Sequence, residues 1–274
     1  MYYRENLINH KRIVIKIGTT SLTYPNGQMN LQKFEKLAWV ITDLLNQDKE
    51  IILVSSGAIA VGAQKLALSE RPRDTIGKQA SSAVGQAILM QMYENFFMHY
   101  NRSVAQILVT MDVFSNPYKK RNVKNTLNRL LEMGVVPIVN ENDTVATDEL
   151  YEFSDNDTLS AYVANVIDAD VLIILSDIDA MYTADPNIDP SAHRISTIHE
   201  IDEEIIKLAG GSSSKLGTGG MATKVKAAQT VNSNGADMVI ASGDDPKIIF
   251  DILNGEDIGT LFTVSDVPEQ PQSN

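Results

Sequence analysis

Short runs of β-branched and aliphatic residues recur along the chain, each followed by a longer stretch with helical spacing. The runs are Arg12 to Ile17, Glu50 to Ser55, Ser103 to Thr110, Val135 to Asn140, Asp170 to Ser176 and Met238 to Ala241. Strands alternating with helices predict βαβ units and a mostly parallel central sheet covered on both faces, an α/β three-layer sandwich. The IVIKI stretch is apolar on both parities apart from Lys16, and VLIILSD is apolar until its last two residues, so both are predicted to be central, buried strands. Leu31 to Asn46 carries Leu31, Phe34, Leu37, Ala38, Ile41, Leu44 and Leu45 at three- and four-residue spacing, which predicts an amphipathic helix. Thr75 to Tyr100 also has helical character. Its Ile88, Leu89, Met90, Met92, Phe96 and Phe97 are spread over more than one face, which points to core or subunit contact.

The pattern breaks in two places. From Asn140 to Asp157, polar turn residues flank the short alternating stretch ELYEF, predicting a β-hairpin inserted after the Val135 to Asn140 strand. The second irregular stretch, SSSKLGTGG, runs into a helical segment from Met221 to Asn234. No internal repeat or linker is visible. A change of lobe is expected near residue 168, dividing a domain of residues 1–265 into parts of about 1–167 and 168–265, with 266–274 a Pro-rich, frayed tail.

Composition narrows the field. With 274 residues, 43% hydrophobic and 21% charged, the chain has the balance of a globular protein long enough for a sizeable core. A formal net charge of -12 repels nucleic acid and anionic membranes, although a few lysines in a cleft can reverse the potential for a small anionic substrate. There is no cysteine, which removes disulfides and thiolate metal sites. The N-terminus is polar where a signal peptide needs an apolar segment, and no apolar run reaches membrane-spanning length; a cytoplasmic protein is expected.

Five segments could carry chemistry. Lys16 ends a buried-looking strand and is followed by Gly18 and hydroxyl residues; an ammonium there is either paired and functional beside an anion, or a snorkelling strand-end lysine. In VSSGAIA, Ser56 and Gly57 stand between strand and helix, where N–H groups can meet a ligand, although Ser56 could equally be a helix cap. Asn140, Glu141, Asn142 and Asp143, with Asp155, Asn156 and Asp157, bracket the predicted hairpin. Together they could grip an amino acid's ammonium and carboxylate, hold a divalent cation outside EF-hand spacing, or simply make turns, with Asn156 or Asp157 capping the next helix. The LGTGGMATK loop misses Walker A, because its lysine follows the threonine, and lacks the strand that a dinucleotide fingerprint needs. It remains a glycine-rich loop opening a helix that carries Lys224, suited to nucleotide phosphates or merely a surface loop. Ser176 and Asp177 lie at the carboxyl end of a buried strand, where nucleotides bind in such sheets.

In this order the segments resemble the amino acid kinase family, and within it the branch that phosphorylates the side-chain carboxylate of free glutamate. The resemblance runs from Arg12 to about Phe262 and rests on VSSGAIAVG, VPIVNENDTVAT, FSDNDTLSA, MYTADP and LGTGGMATK, with the NEND and DND pair pointing to the glutamate branch. It implies ATP-dependent formation of L-glutamyl 5-phosphate, the first step toward proline, with Mg²⁺ carried mainly by ATP and no side chain assigned as its ligand. It also implies that Lys16 and Lys224 neutralise the β- and γ-phosphates while Asp157 orients them. Glutamate would meet Ser56, Gly57, Asn140, Asp143 and Asn156. ATP would meet Lys16, Gly18, Ser176, Asp177, Thr218, Gly219, Gly220, Met221, Ala222, Thr223 and Lys224. A γ-carboxylate is already a nucleophile at neutral pH, so transfer is mostly positioning and charge neutralisation.

The resemblance further implies a homodimer or homotetramer, feedback by proline, and a glutamyl phosphate reductase as the next enzyme. Many members of the branch carry a C-terminal PUA domain associated with RNA; these 274 residues end with the kinase domain, and no nucleic-acid role is expected. The competing activities are kinases of the same fold acting on acetylglutamate, aspartate, carbamate or a nucleoside monophosphate. A silent ligand-binding regulator and a dinucleotide-dependent oxidoreductase stand further off. Both lysines and their carboxylate are present, which argues against the silent form.

Overall fold

The strands form where the apolar runs predict them. In the computed structural model, which describes residues 2–24, 26–146, 155–186, 188–211 and 220–264, they are β1 (Arg12–Ile17), β2 (Glu50–Ser55), β3 (Val104–Val109), β4 (Val136–Glu141), β5 (Val171–Ser176), β6 (Thr197–Ile198), β7 (Asp237–Ser242) and β8 (Thr260–Phe262). All eight join one sheet in the order β3-β4-β2-β1-β5-β7-β8-β6. Every neighbouring pair is parallel except β7 with β8. β6 and β8 are absent from the predicted set because two- and three-residue strands are too short to show a period.

Alternation along β1 divides the molecule into two apolar layers. Ile13, Ile15 and Ile17 pack on one face with α1 (Leu31–Asn46), α3 (Thr75–Met98) and α8 (Ile248–Leu253). Val14 points to the other, against α4 (Pro117–Glu132), α5 (Asn156–Val166) and α7 (Met221–Asn232). Lys16 has the parity of Val14 and so belongs to the second layer. The other helices longer than one turn among the described residues are α2 (Ala58–Lys65), which leads directly out of the loop after β2, and α6 (Glu203–Gly211).

Helix starts are chemically marked. Asn30 accepts from the Lys33 N–H to open α1, Asp74 accepts from Gly77 to open α3, and Asn116 with Pro117 at the first helical position opens α4. The apolar excess on α3 is mostly core: Leu89, Tyr93 and Phe97 are buried, with Met90, Met92 and Phe96 packed against them. The expected lobe change falls between α5 and β5, where the sheet continues because β1 pairs with both β2 and β5. The predicted hairpin lies mostly in 147–154, outside the described residues; β4 extends through Glu141 and a short 3₁₀ turn, Asp143–Val145, follows. The predicted tail likewise lies outside them.

α2 and α3 cross at backbone contact. A Cβ on Gly62 would lie 1.7 Å from the Ser81 carbonyl oxygen, and one on Gly85 would lie 1.8 Å from that of Ala58. Since α2 begins at the Ser56–Gly57 loop, this crossing sets the height of that loop over the sheet. Gly85→Ala is expected to destabilise the protein by about 3 kcal/mol, read as a lower urea midpoint at unchanged slope. An unshifted midpoint would mean that the helices can part freely.

Candidate active site

The carboxyl ends of β1, β2, β4 and β5 lie side by side. Lys16 is level with Val54 and Ile174, Ile17 with Ser55, and Val54 with Val139, so the residues that follow these positions emerge together. Chain connectivity reverses direction at β1, which lies between β2 and β5, and ligands of open α/β sheets bind in the crevice at such a point. Gly57 has φ +113°, a conformation that suits glycine, and a Cβ placed on it would lie 3.9 Å from the Thr19 side chain of the segment after β1. The Gly18 N–H donates to the Leu175 carbonyl, and the Ser56 N–H to that of Ile17, tying these loops to the sheet.

The first cluster is cationic. Lys16 Nζ lies 2.6 Å from Asp157 Oδ1, and Lys224 Nζ lies 3.1 Å from Asp157 Oδ2. Thr223 donates its hydroxyl to the same Oδ2 at 3.0 Å. Strand parity sends Lys16 to the layer containing α5 and α7, where Asp157 sits on the first turn of one helix and Lys224 on the first turn of the other. All three are nearly closed to solvent, at 7% exposure for Lys16 and 1% each for Asp157 and Lys224. Burial pushes the Asp157 carboxyl up, but the two adjacent ammonium groups outweigh it and hold the group below its usual range. Two ammonium groups converge on this one carboxylate in a protein whose overall charge is -12. Lysines gathered in this way can receive an anion that arrives beside them.

The second cluster is amide-rich and adjoins the first through the Asn156-Asp157 step. Asn156 Nδ2 donates to Ser56 Oγ at 2.6 Å, to Asn140 Oδ1 at 3.2 Å and to the Ser55 carbonyl at 3.3 Å. Asn140 Nδ2 donates to Gln86 Oε1 at 2.9 Å, and Ser82 donates to Asp143 at 2.5 Å. Glu141 is pushed up to about 7 by burial and by the nearby carboxylates of Asp143 and Asp155.

Two of the capping alternatives resolve differently from the sequence reading. Asp155, not Asn156 or Asp157, caps α5, accepting from the Thr158 N–H at 2.8 Å, which leaves the next two side chains for the clusters. Gly57 occupies the cap position of α2, so the Ser56 hydroxyl is not spent on the helix. Gly220 caps α7, followed by Met221, Ala222, Thr223 and Lys224; Thr218 and Gly219 lie outside the described residues. Ser176 is turned inward, accepting from the Ile178 N–H, while Asp177 is exposed at the same strand end. Ser82 and Gln86 were not anticipated. Their signal is an i, i+4 polar pair on the buried face of α3, where apolar residues would otherwise be expected. Among the described residues no group of three or more His, Asp or Glu side chains is placed to hold a metal ion. No helix among them is long and apolar enough to cross a membrane.

This chain belongs to the amino acid kinase family, whose profile matches residues 11–242. Within it, the chain is 52% identical over 262 residues to the glutamate 5-kinase of Clostridium perfringens (strain 13 / Type A), covering 94% of this chain and 97% of the relative. It is 53% identical over 262 residues to the glutamate 5-kinase of Listeria monocytogenes serovar 1/2a (strain ATCC BAA-679 / EGD-e), covering 94% and 95% respectively. Solved structures share the fold at lower identity. UMP kinase from Bacillus anthracis has a TM-score of 0.63 at 17% identity, covering 94% of this chain and 97% of that one. Carbamate kinase from Giardia lamblia bound to AMP-PNP has a TM-score of 0.66 at 15% identity, covering 93% and 99%.

Proposed function

We propose that the chain transfers the terminal phosphoryl group of ATP to the γ-carboxylate of L-glutamate, giving L-glutamyl 5-phosphate and ADP as the first step of proline biosynthesis. The observation that carries this reading is the buried Lys16–Asp157–Lys224 triad abutting the amide cluster of Ser56, Asn140 and Asn156. The lobe of about residues 1–167 supplies the acceptor pocket, and the lobe of about 168–265 supplies most of the nucleotide site.

In the reaction, a carboxylate oxygen forms a bond to the γ-phosphorus as the bond to the β–γ bridging oxygen breaks, and ADP leaves with that electron pair. No proton is removed from the nucleophile, so no base is required. Asp157 fits an orienting role, since both of its oxygens are engaged by cations. Lys16 and Lys224 offset the charge that builds on the transferred group and the leaving oxygen. Backbone N–H groups at the start of α7, with Gly18, cradle the phosphates. Mg²⁺ carried by the nucleotide would neutralise phosphate charge, and no side chain is assigned as its ligand. Asn140, Asp143 and Asn156 orient glutamate with Ser56 and Gly57. Proline carries an α-nitrogen cation and an α-carboxylate as glutamate does, so any feedback inhibition by proline is expected to act at the same cluster.

The test is turnover with Mg²⁺-ATP and a panel of glutamate, N-acetylglutamate, aspartate and uridine monophosphate, with acyl phosphate trapped as its hydroxamate. Hydroxamate and ADP are expected with glutamate alone. ADP formation with another acceptor would keep the phosphate site and overturn the assignment of the amide cluster. Tight ATP binding without turnover would make the chain a regulator.

A further inference from the structure

The hydrogen-bond relay behind Ser56 has only one permitted direction. The Ser55 carbonyl can only accept, so Asn156 must turn its Nδ2 toward it, at 3.3 Å. Asn140 must then present Oδ1 to Asn156, at 3.2 Å, and its own Nδ2 faces Gln86. Gln86 in turn must present Oε1, at 2.9 Å. The cost of this arrangement is visible at its far end. Gln86 is 7% exposed, and its Nε2 is a buried donor with no partner among the described residues. An isolated amide in that position would flip to satisfy itself. Here a flip would set donor against donor at Asn140.

At the near end, Ser56 Oγ accepts from Asn156 at 2.6 Å. With that lone pair occupied, the hydroxyl hydrogen of Ser56 is left to donate to an oxygen of a ligand. The polarity set at the Ser55 carbonyl, and held at its far end by the Gln86 oxygen that accepts from Asn140, therefore makes Ser56 a donor, as recognition of a carboxylate requires. We propose that Gln86 is a positioning residue for the acceptor amino acid, acting through Asn140 and Asn156 on Ser56 without belonging to the nucleotide site. This rests on the reading of the amide cluster as the glutamate pocket.

Gln86→Met tests it, because methionine has nearly the same length and removes only the amide. With saturating Mg²⁺-ATP, the KM for glutamate is expected to rise about tenfold while the KM for ATP stays within about twofold, since one lost orienting hydrogen bond is worth roughly that factor. In an Asn140→Ala background the same change is expected to add less than about twofold, because the relay is already broken. A packing role would give the full effect in both backgrounds and overturn the proposal, as would an unchanged glutamate KM in the single variant. Gln86→Glu, which keeps an accepting oxygen for Asn140, gives a second reading: its glutamate KM is expected to lie closer to that of the native enzyme than the Gln86→Met value does, and the reverse order would count against the relay. The native enzyme run alongside separates the two failures. No glutamate-dependent hydroxamate from it sinks the functional reading and this proposal with it, whereas native turnover with an unmoved KM in Gln86→Met sinks this proposal alone.

Discussion

Replacing Lys224 with methionine is expected to lower kcat by about a thousandfold, roughly 4 kcal/mol of transition-state stabilisation, while the protein stays folded. The residue sits on the first turn of α7 with its ammonium 3.1 Å from Asp157, and its aliphatic stem is among the largest fully buried side chains. Lys224→Ala would remove the charge too, but it would also leave a cavity with a stability cost of its own, about 2–5 kcal/mol for a large buried chain. Methionine fills that space and isolates the charge. Negative charge on the equatorial and leaving oxygens grows as the phosphoryl group moves, so the loss belongs mainly in kcat. The glutamate KM should change little, because the hydrogen bonds of Asn140, Asn156 and Ser56 do not pass through Lys224. Steady-state hydroxamate formation alongside a thermal melt checks both parts. A kcat within tenfold of native, in a folded variant, would remove Lys224 from the chemistry.

Much of this site was legible from local pattern, and the remainder depended on distant partners. A lysine inside an otherwise apolar strand has to be paired or functional, which singled out Lys16; that Asp157 partners it was implied by the family resemblance and by no local pattern, and the contact forms because β1 lies beneath α5. Three consecutive residues, Asp155, Asn156 and Asp157, could each cap a helix, and spacing does not choose among them. The structure does, because the Thr158 N–H bonds to Asp155. Five of the six long strands declared themselves through runs of buried residues, and β3 through its aliphatic run although only its Val109 is buried, while β6 and β8 depend on pairing with each other and with β7. Gln86 and Ser82 escaped notice because small and polar residues in SSAVGQ blur the face of α3. Their role appears only when β4 brings Asn140 and the turn that follows it brings Asp143 against that helix. Pattern exposes what a segment buries, and it is blind to the partner across the fold.

Asp157→Asn is expected to separate orientation from binding. The carboxylate holds two ammonium groups at 2.6 and 3.1 Å in a place that is 1% exposed, and asparagine offers one oxygen and no charge to the same two cations. Breaking a buried pair by removing one partner costs about 3–5 kcal/mol, which for a chain of this size lowers the melting temperature of the free enzyme by roughly 10 °C. The triphosphate can replace the missing negative charge, so Mg²⁺-ATP should raise the melting temperature of the variant more than that of the native protein. Affinity for ATP is thus expected to hold or improve, because Asp157 no longer offsets the lysines in the empty site. Turnover should nevertheless fall by about a hundredfold, since the lysines lose the carboxylate that aims them at the γ-phosphate and leaving oxygen. Melting curves with and without Mg²⁺-ATP, set beside kcat, read all three effects. Loss of ATP binding at unchanged stability would show that Asp157 contacts the nucleotide site itself. Retention of full kcat would show that the lysines need no orienting partner, and the triad would then be a device for burying charge.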